Sequence, residues 1–372
     1  MTTSPPAVKP GDPIAAIDTP ALLVDLDRLE HNLAGMAAFA AARGIRLRPH
    51  GKTHKCVAIA RRQMALGAVG LCCQKVGEAE AFAAGGIADL LVTNEVVDPA
   101  KLRRLARLTT QARIGVCVDD PIGVERLAGA AGEAARDIDA YLEFDVGAGR
   151  CGVERVDEAL RLIDAIVAAK LLRFTGIHAY HGNAQHLRTP AERHHAIDTA
   201  VAKLGELVAA LARRGVPAGI VTGAGTGTFP FESASGAYAE IQPGSYVFMD
   251  RDYGDNVWPV ETPRFEPSLF VLTSVMSRRS RWAVVDAGHK AHAVDSGMPV
   301  VAGRPELAYE RPSDEHGMIV ARDGEPLPAL DERLWLIPGH CDPTVNLWDW
   351  LIGVRAGRVE SIWPIEARGA LG

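Results

Sequence analysis

Between residues 46 and 250 the chain alternates short apolar runs with longer amphipathic ones, and this rhythm restricts the fold more than any other feature. The short runs lie at 46–49, 69–73, 89–93, 114–118, 140–145, 174–179, 219–222 and 240–248. Short near-continuous apolar runs read as strands covered on both faces, which parallel sheets require. Helical periodicity fills most of the gaps, for instance at 57–66, 99–108, 156–169 and 191–213. Eight such repeats predict an α/β architecture closed as a (β/α)8 TIM barrel rather than an open sheet. The weakest crossover is 226–239, rich in Gly, Ser and Phe and without an evident helical pattern.

The flanks read differently. Residues 21–25 form a strand pattern, and 27–42 form a helix with Leu29, Leu33 and Met36 on one face and Asp27 as its cap. Beyond 258 the texture turns to strands at 268–277, 281–285, 332–337 and 354–363. With 372 residues the chain exceeds what one core usually supports. The expected division is a barrel over 26–258 and a smaller β-rich domain over 259–372, completed by the N-terminal segment 12–25.

The net charge of −6 argues against a nucleic-acid partner, and no apolar run approaches a membrane span. The first residues lack the apolar core of a signal peptide. Six cysteines (Cys56, Cys72, Cys73, Cys117, Cys151 and Cys341) follow no disulfide or zinc spacing. A cytoplasmic enzyme is expected, bound to neither membrane nor nucleic acid.

In such barrels the chemistry sits at the C-terminal ends of the strands. The polar residues there are His50, Lys52 and His54, then Gln74 and Lys75, Asn94 and Glu95, Asp119, Arg150, Tyr180 and His181, the run 223–228, and Ser245 and Tyr246. Lys52 stands where the first strand meets its loop, bracketed by two histidines. Lysine is the usual holder of an aldehyde cofactor, because a desolvated amine near other cations loses its proton more easily. Gly223-Ala-Gly-Thr-Gly-Thr228 and Gln242-Pro-Gly-Ser-Tyr246 follow the seventh and eighth strands, where barrels bind phosphate. Arg150 stays cationic and can only donate hydrogen bonds. In the second domain, His340 and Asp342 would share one side of an extended segment and could hold a divalent ion, with Cys341 turned away.

These residues jointly carry a family resemblance. Asp18-Thr-Pro20, Arg48-Pro-His-Gly-Lys-Thr-His-Lys55, Cys73-Gln-Lys75, Asn94-Glu-Val96, Asp145-Val-Gly-Ala-Gly-Arg-Cys-Gly152 and Tyr180-His-Gly182 belong to it. So do Gly225-Thr-Gly227, Gln242-Pro-Gly-Ser-Tyr246 and His340-Cys-Asp342. From about residue 18 onward the chain resembles the D-threonine aldolase / D-serine dehydratase family of pyridoxal-phosphate enzymes, which share the alanine-racemase fold. The resemblance implies that Lys52 forms the Schiff base with pyridoxal 5'-phosphate. Gln74, Arg150 and Tyr180 would meet the cofactor, and Gly225, Thr226, Gly227, Gly244, Ser245 and Tyr246 would hold its phosphate. His340 and Asp342 would ligate a metal. In the family's D-serine dehydratases the ligand pair is His-x-Cys, which suits zinc; His-x-Asp marks the D-3-hydroxyamino-acid aldolases and suits Mn2+ or Mg2+.

The implied reaction is retro-aldol cleavage of a D-3-hydroxy amino acid, D-threonine-like, to glycine and an aldehyde, with metal-bound water or His54 as base. D-serine or D-threo-3-hydroxyaspartate dehydration, and 3-hydroxy-D-aspartate cleavage, are the neighbouring alternatives. A metal-dependent barrel hydrolase using His50, His54, His178, His181 and Asp286, or a non-catalytic cofactor carrier, would need fewer of these motifs. Because the second domain in this fold commonly completes a neighbour's site, a homodimer is expected.

Overall fold

A computed structural model of the chain describes residues 4–322 and 324–372. The first strand, β1 (Ala21–Asp25), leads directly into α1 (Leu26–Arg43). Asp25 caps that helix, its side chain accepting from the Arg28 N–H. Asp27, the cap expected from the sequence, lies inside the first turn instead, because the helix begins one residue earlier at Leu26. Gly44 ends the helix at φ +60°, the left-handed conformation that glycine adopts without strain.

The barrel follows as β2 (Arg46–Leu47), α2 (Val57–Ala65), β3 (Leu71–Cys73), α3 (Val76–Ala84), β4 (Asp89–Glu95), α4 (Pro99–Leu108), β5 (Arg113–Val118) and α5 (Pro121–Ala134). It continues with β6 (Ile138–Glu143), α6 (Val156–Ala168), β7 (Leu172–Ala179), α7 (Pro190–Arg213), β8 (Ile220–Gly223), α8 (Phe229–Ser235) and β9 (Glu240–Ile241). Eight parallel strands pair in the order β2-β9-β8-β7-β6-β5-β4-β3, and the His50–Cys72 bridge joins the two ends. Buried Val, Ile, Leu and Ala residues from the strands and inner helix faces form the barrel's largest apolar cluster. Helix starts follow local chemistry: Asp98 caps α4 before Pro99, and Thr189 with Glu192 forms a capping box on α7.

Two expectations fail here. The eighth strand keeps only Glu240 and Ile241, because Pro243 and Gly244 lead into a 3-10 turn over Ser245–Val247. The crossover without an evident helical pattern does contain a helix, α8, which opens with Phe229 and Pro230 and buries Phe229.

A short helix, α9 (Arg251–Gly254), leads to the second domain. Its elements are β10 (Leu269–Arg278), β11 (Ala283–Val285), β12 (Val300–Val301), β13 (Leu307–Glu310), β14 (Gly317–Ala321), β15 (Arg333–Ile337), α10 (Cys341–Val345), β16 (Trp350–Arg355) and β17 (Arg358–Pro364). The strand order is β11-β14-β13-β12-β15-β10-β1-β16-β17, and β11 also pairs with β10, so six strands close into a small barrel. β1 joins this sheet, antiparallel to β10 and parallel to β16. The single strand expected over 354–363 is a hairpin that turns at Ala356 and Gly357, both at positive φ. Among the described residues no helix is long and apolar enough to cross a membrane.

Candidate active site

The strand ends of the first barrel and the start of α10 enclose one cavity of about 300 Å³. Lys52 reaches it from the turn after β2, and Gln74 from the loop after β3. Arg150 comes from beyond β6, while His178 and Tyr180 lie at the end of β7. Gly225 and Thr226 follow β8; Gln242, Gly244 and Ser245 follow β9. His340 and Asp342 complete the lining from the β domain. The close approach of the loops depends on glycine. A Cβ at Gly225 would lie 2.4 Å from Gln185 Oε1, and one at Gly244 would lie 2.6 Å from Thr53 Oγ1.

Lys52 Nζ stands 3.3 Å from Asp342 Oδ2. That neighbour raises the lysine's pKa, the reverse of the depression expected from cationic neighbours. Burial works against ionising Asp342, but Lys52 and His340 overcome it and hold the carboxyl at about 2. The Arg150 guanidinium lies 5.8 Å from the Tyr180 ring centroid, within cation–π range. Burial pushes the Tyr180 phenol up.

His340 is the residue preceding α10, and Asp342 lies in that helix's first turn. Both face the cavity, but they do so across a helix start and not along an extended strand. His340 Nδ1 is 2.7 Å from Asp295 Oδ2, which leaves Nε2 as the ring's free nitrogen. The Cys341 side chain is fully buried, with Sγ 3.4 Å from Asp342 Oδ1, and its N–H donates to Asp250 Oδ2 at 2.9 Å.

Three residues expected at the site lie outside the lining. His54 is fully buried, its ring edge-on to Phe82 at 5.9 Å and its Nδ1 accepting from the Cys56 N–H at 3.1 Å. Burial holds it down at about 4, so it has neither the position nor the basicity of the proposed base. The Gly227 N–H donates to Gln185 Oε1 at 2.9 Å, and the Tyr246 N–H donates to Thr226 Oγ1 at 3.1 Å. The Tyr246 phenol accepts from Gln63 Nε2 inside the core. Both residues therefore brace the phosphate-type loops from behind. His181 and the polar residues after β4 and β5 are also outside the lining, and Asp119 accepts from the Gly152 N–H at 3.0 Å.

The cavity also contains residues that sequence reasoning did not place there. Thr93, Asn183, His186 and Tyr253 line it, and His186 Nδ1 is 2.5 Å from Asp252 Oδ2. Asp295 lies in a loop with no motif around it, and only the fold brings it to His340. Among the described residues, Cys117, Glu143 and His178 are the one group of three metal-type side chains whose ligand atoms lie within 4.8 Å of one another.

The sequence model for the alanine racemase N-terminal domain matches residues 24–252, and that for a putative serine dehydratase domain matches 268–354. A 3-hydroxy-D-aspartate aldolase of Paracoccus denitrificans (strain Pd 1222) is 48% identical over 97% of this chain and 94% of its own. A D-threonine aldolase of an Arthrobacter species is 47% identical over 98% of this chain and 96% of its own. The crystal structure of D-threonine aldolase from Filomicrobium marinum superposes with a TM-score of 0.96 at 50% identity, covering 100% of both chains. With these relatives and this fold, the chain belongs to the alanine racemase-like family of pyridoxal-phosphate enzymes, as a carbon–carbon lyase of its D-threonine aldolase branch.

Proposed function

We propose that this lyase cleaves D-3-hydroxy amino acids of the D-threonine type to glycine and an aldehyde, with pyridoxal phosphate on Lys52 and a divalent ion, Mn2+ or Mg2+, on His340 and Asp342. The observation that carries the reading is that Lys52 and the His340–Asp342 pair open into one cavity, with Lys52 Nζ 3.3 Å from Asp342 Oδ2.

The residues present fit both groups. For the cofactor there is a half-buried lysine, an arginine and a phenol beside it, and two loops whose glycines admit no Cβ. For the ion there is an imidazole whose far nitrogen is held by a carboxylate, the usual support of a metal-ligating histidine. The paired carboxylate Asp342 stays ionised. An imidazole and a carboxylate suit a harder ion.

Bound pyridoxal phosphate supplies an electron sink for the charge left on Cα, and a bound divalent ion supplies Lewis acidity towards a hydroxyl. The chain's own residues do the rest. Lys52 would provide the amine that holds the cofactor. Arg150 and Tyr180 bound the cavity beside it and orient what binds there. Gly225, Thr226, Gly244 and Ser245 close around an anion. The ion's ligands and the anchoring lysine share one cavity, so a substrate's hydroxyl and amine would be met there together.

The test is product analysis with the cofactor- and Mn2+-loaded enzyme on D-threonine, 3-hydroxy-D-aspartate and D-serine. Glycine with acetaldehyde from D-threonine is expected. Ammonia and a 2-oxo acid as the main products would overturn the aldolase reading.

A further inference from the structure

Two histidines line the cavity besides His186 and His340, and the directions of their hydrogen bonds place them in opposite protonation states. His50 Nδ1 accepts from the Lys52 backbone N–H at 3.3 Å, so that nitrogen carries a lone pair. Its Nε2 is 3.0 Å from Thr93 Oγ1 and supplies the ring's single N–H. His50 is therefore neutral.

His178 is the reverse. Its Nε2 lies 3.1 Å from Gln242 Oε1 and its Nδ1 lies 2.5 Å from Glu143 Oε2. An amide can present oxygen or NH2, but Gln242 has no choice. Its Nε2 donates to Thr222 Oγ1 at 2.7 Å, and Thr222 uses its only proton on Glu240 Oε1 at 2.9 Å. Both Glu240 oxygens already accept, Oε1 from the Arg48 Nε–H at 2.9 Å and Oε2 from the Arg46 Nε–H at 3.1 Å, so the residue faces Thr222 as an acceptor. Turning the amide over would set Thr222 between two acceptors with one proton. The chain from Glu240 through Thr222 and Gln242 thus forces a proton onto His178 Nε2, while the carboxylate of Glu143 holds one on Nδ1.

We propose that His178 is a fixed imidazolium, a positioning residue of the cavity wall whose charge is dictated by this chain of hydrogen bonds. It follows that His178 is not the base of the reaction. The inference concerns the protein's own protons and holds whichever amino acid the enzyme cleaves.

The groups around His178 agree. Glu143 at the end of β6 is its main electrostatic neighbour, with Glu95 at the end of β4 adding to it, and burial is overcome so that the His178 pKa is raised. Cys117 on β5 lies within 4.8 Å of both Glu143 and His178, its thiol pushed well up by burial and so uncharged. Tyr180 lies 6.4 Å away, ring to ring, and is likewise uncharged. His50 is held well below the usual histidine value by burial, with Lys52 and His178 adding to the effect.

The test is long-range 1H–15N correlation of the ring nitrogens in histidine-labelled, cofactor-loaded enzyme, with His178 assigned by its loss in His178→Asn. Both nitrogens of His178 are expected to be protonated at about pH 8. Thr222→Val keeps the side chain's shape but frees the Gln242 amide to turn. It should lower the His178 pKa by about one unit or more and give kcat/KM a new ionisation below pH 8. Thr222→Ser, which restores the hydroxyl, should return both to the wild-type pattern. If Thr222→Val fails to fold, Gln242→Leu makes the same test. An unprotonated His178 nitrogen in the wild type at about pH 8, or an unchanged His178 in both variants, would overturn the proposal.

Discussion

Lys52 Nζ and Asp342 Oδ2 meet at 3.3 Å across the seam between the two domains. One belongs to the turn after the first barrel strand and the other to the first turn of α10, so the cavity exists only when the domains are docked. The docking is held from several sides. The Arg251 N–H donates to the Pro338 carbonyl at 3.1 Å, and Asp250 accepts from the Cys341 N–H at 2.9 Å.

Asp295 should therefore control the metal without touching the cofactor. Its carboxylate holds His340 Nδ1 at 2.7 Å and turns the other ring nitrogen to the cavity. Losing such a support typically weakens metal binding by about 10–100-fold. Asp295→Asn should show that loss in a Mn2+ titration followed by calorimetry, with the absorbance of the Lys52-bound cofactor unchanged. Asp342→Asn should remove most metal-dependent activity with the same absorbance. Equal Mn2+ affinity in Asp295→Asn and wild type would count against the arrangement.

The sequence carried the barrel because buried parallel strands leave a plain rhythm, and it carried Lys52 and the glycine loops because their chemistry is local. It misled where a residue's direction depends on a turn. His54 stands two residues beyond Lys52, and alternation would put both on one face if the segment were extended. The segment turns instead, the Lys55 N–H closing back on the Gly51 carbonyl at 2.8 Å, and His54 goes into the core. Tyr246 fails for the same reason, since the 3-10 turn directs Ser245 to the cavity and Tyr246 behind it. His340 and Asp342 reached the site although the extended geometry expected for them is absent. Asp295 and the Thr222–Gln242 chain were invisible, because each depends on residues brought together from distant strands or loops.

Gly244 offers a steric test of the phosphate-type loops. Its φ of −109° suits any residue, so alanine there adds no backbone strain. The new Cβ would sit 2.6 Å from Thr53 Oγ1 and 3.3 Å from His50 Cβ, forcing the loop outwards. Overpacking of this kind costs about 1–3 kcal/mol. Gly244→Ala should bind pyridoxal phosphate about tenfold or more weakly in an absorbance titration. Unchanged affinity would mean that this loop does not shape the cofactor site.

His54 should prove structural. It lies outside the cavity, and its Nδ1 accepts the Cys56 N–H just ahead of α2. His54→Leu removes that bond and should cost about 1–2 kcal/mol of stability, read as a lower unfolding midpoint. The kcat/KM of the folded, loaded variant should stay within about threefold of wild type. A loss of about a hundredfold or more in well-folded protein would restore His54 as a candidate base.

Glu232 supplies a pH-dependent term in stability that is separate from catalysis. It is fully buried in α8, with Oε1 accepting from Thr228 Oγ1 at 2.7 Å and Oε2 without a partner among the described residues. Burial raises its pKa to about 7. In the unfolded chain a glutamate titrates near about 4.3. Below that value both states hold the proton. Between about 4.3 and 7 the unfolded state releases it while the folded state keeps it, so stability falls with rising pH through this window and then levels off. Glu232→Gln keeps the shape and the Thr228 contact but has no proton to lose. Denaturant unfolding at about pH 5 and about pH 8 should show the variant gaining on wild type, by on the order of 2 kcal/mol, as the pH rises. A difference that stays constant between the two pH values would show that Glu232 is ionised in the folded protein already at the lower one.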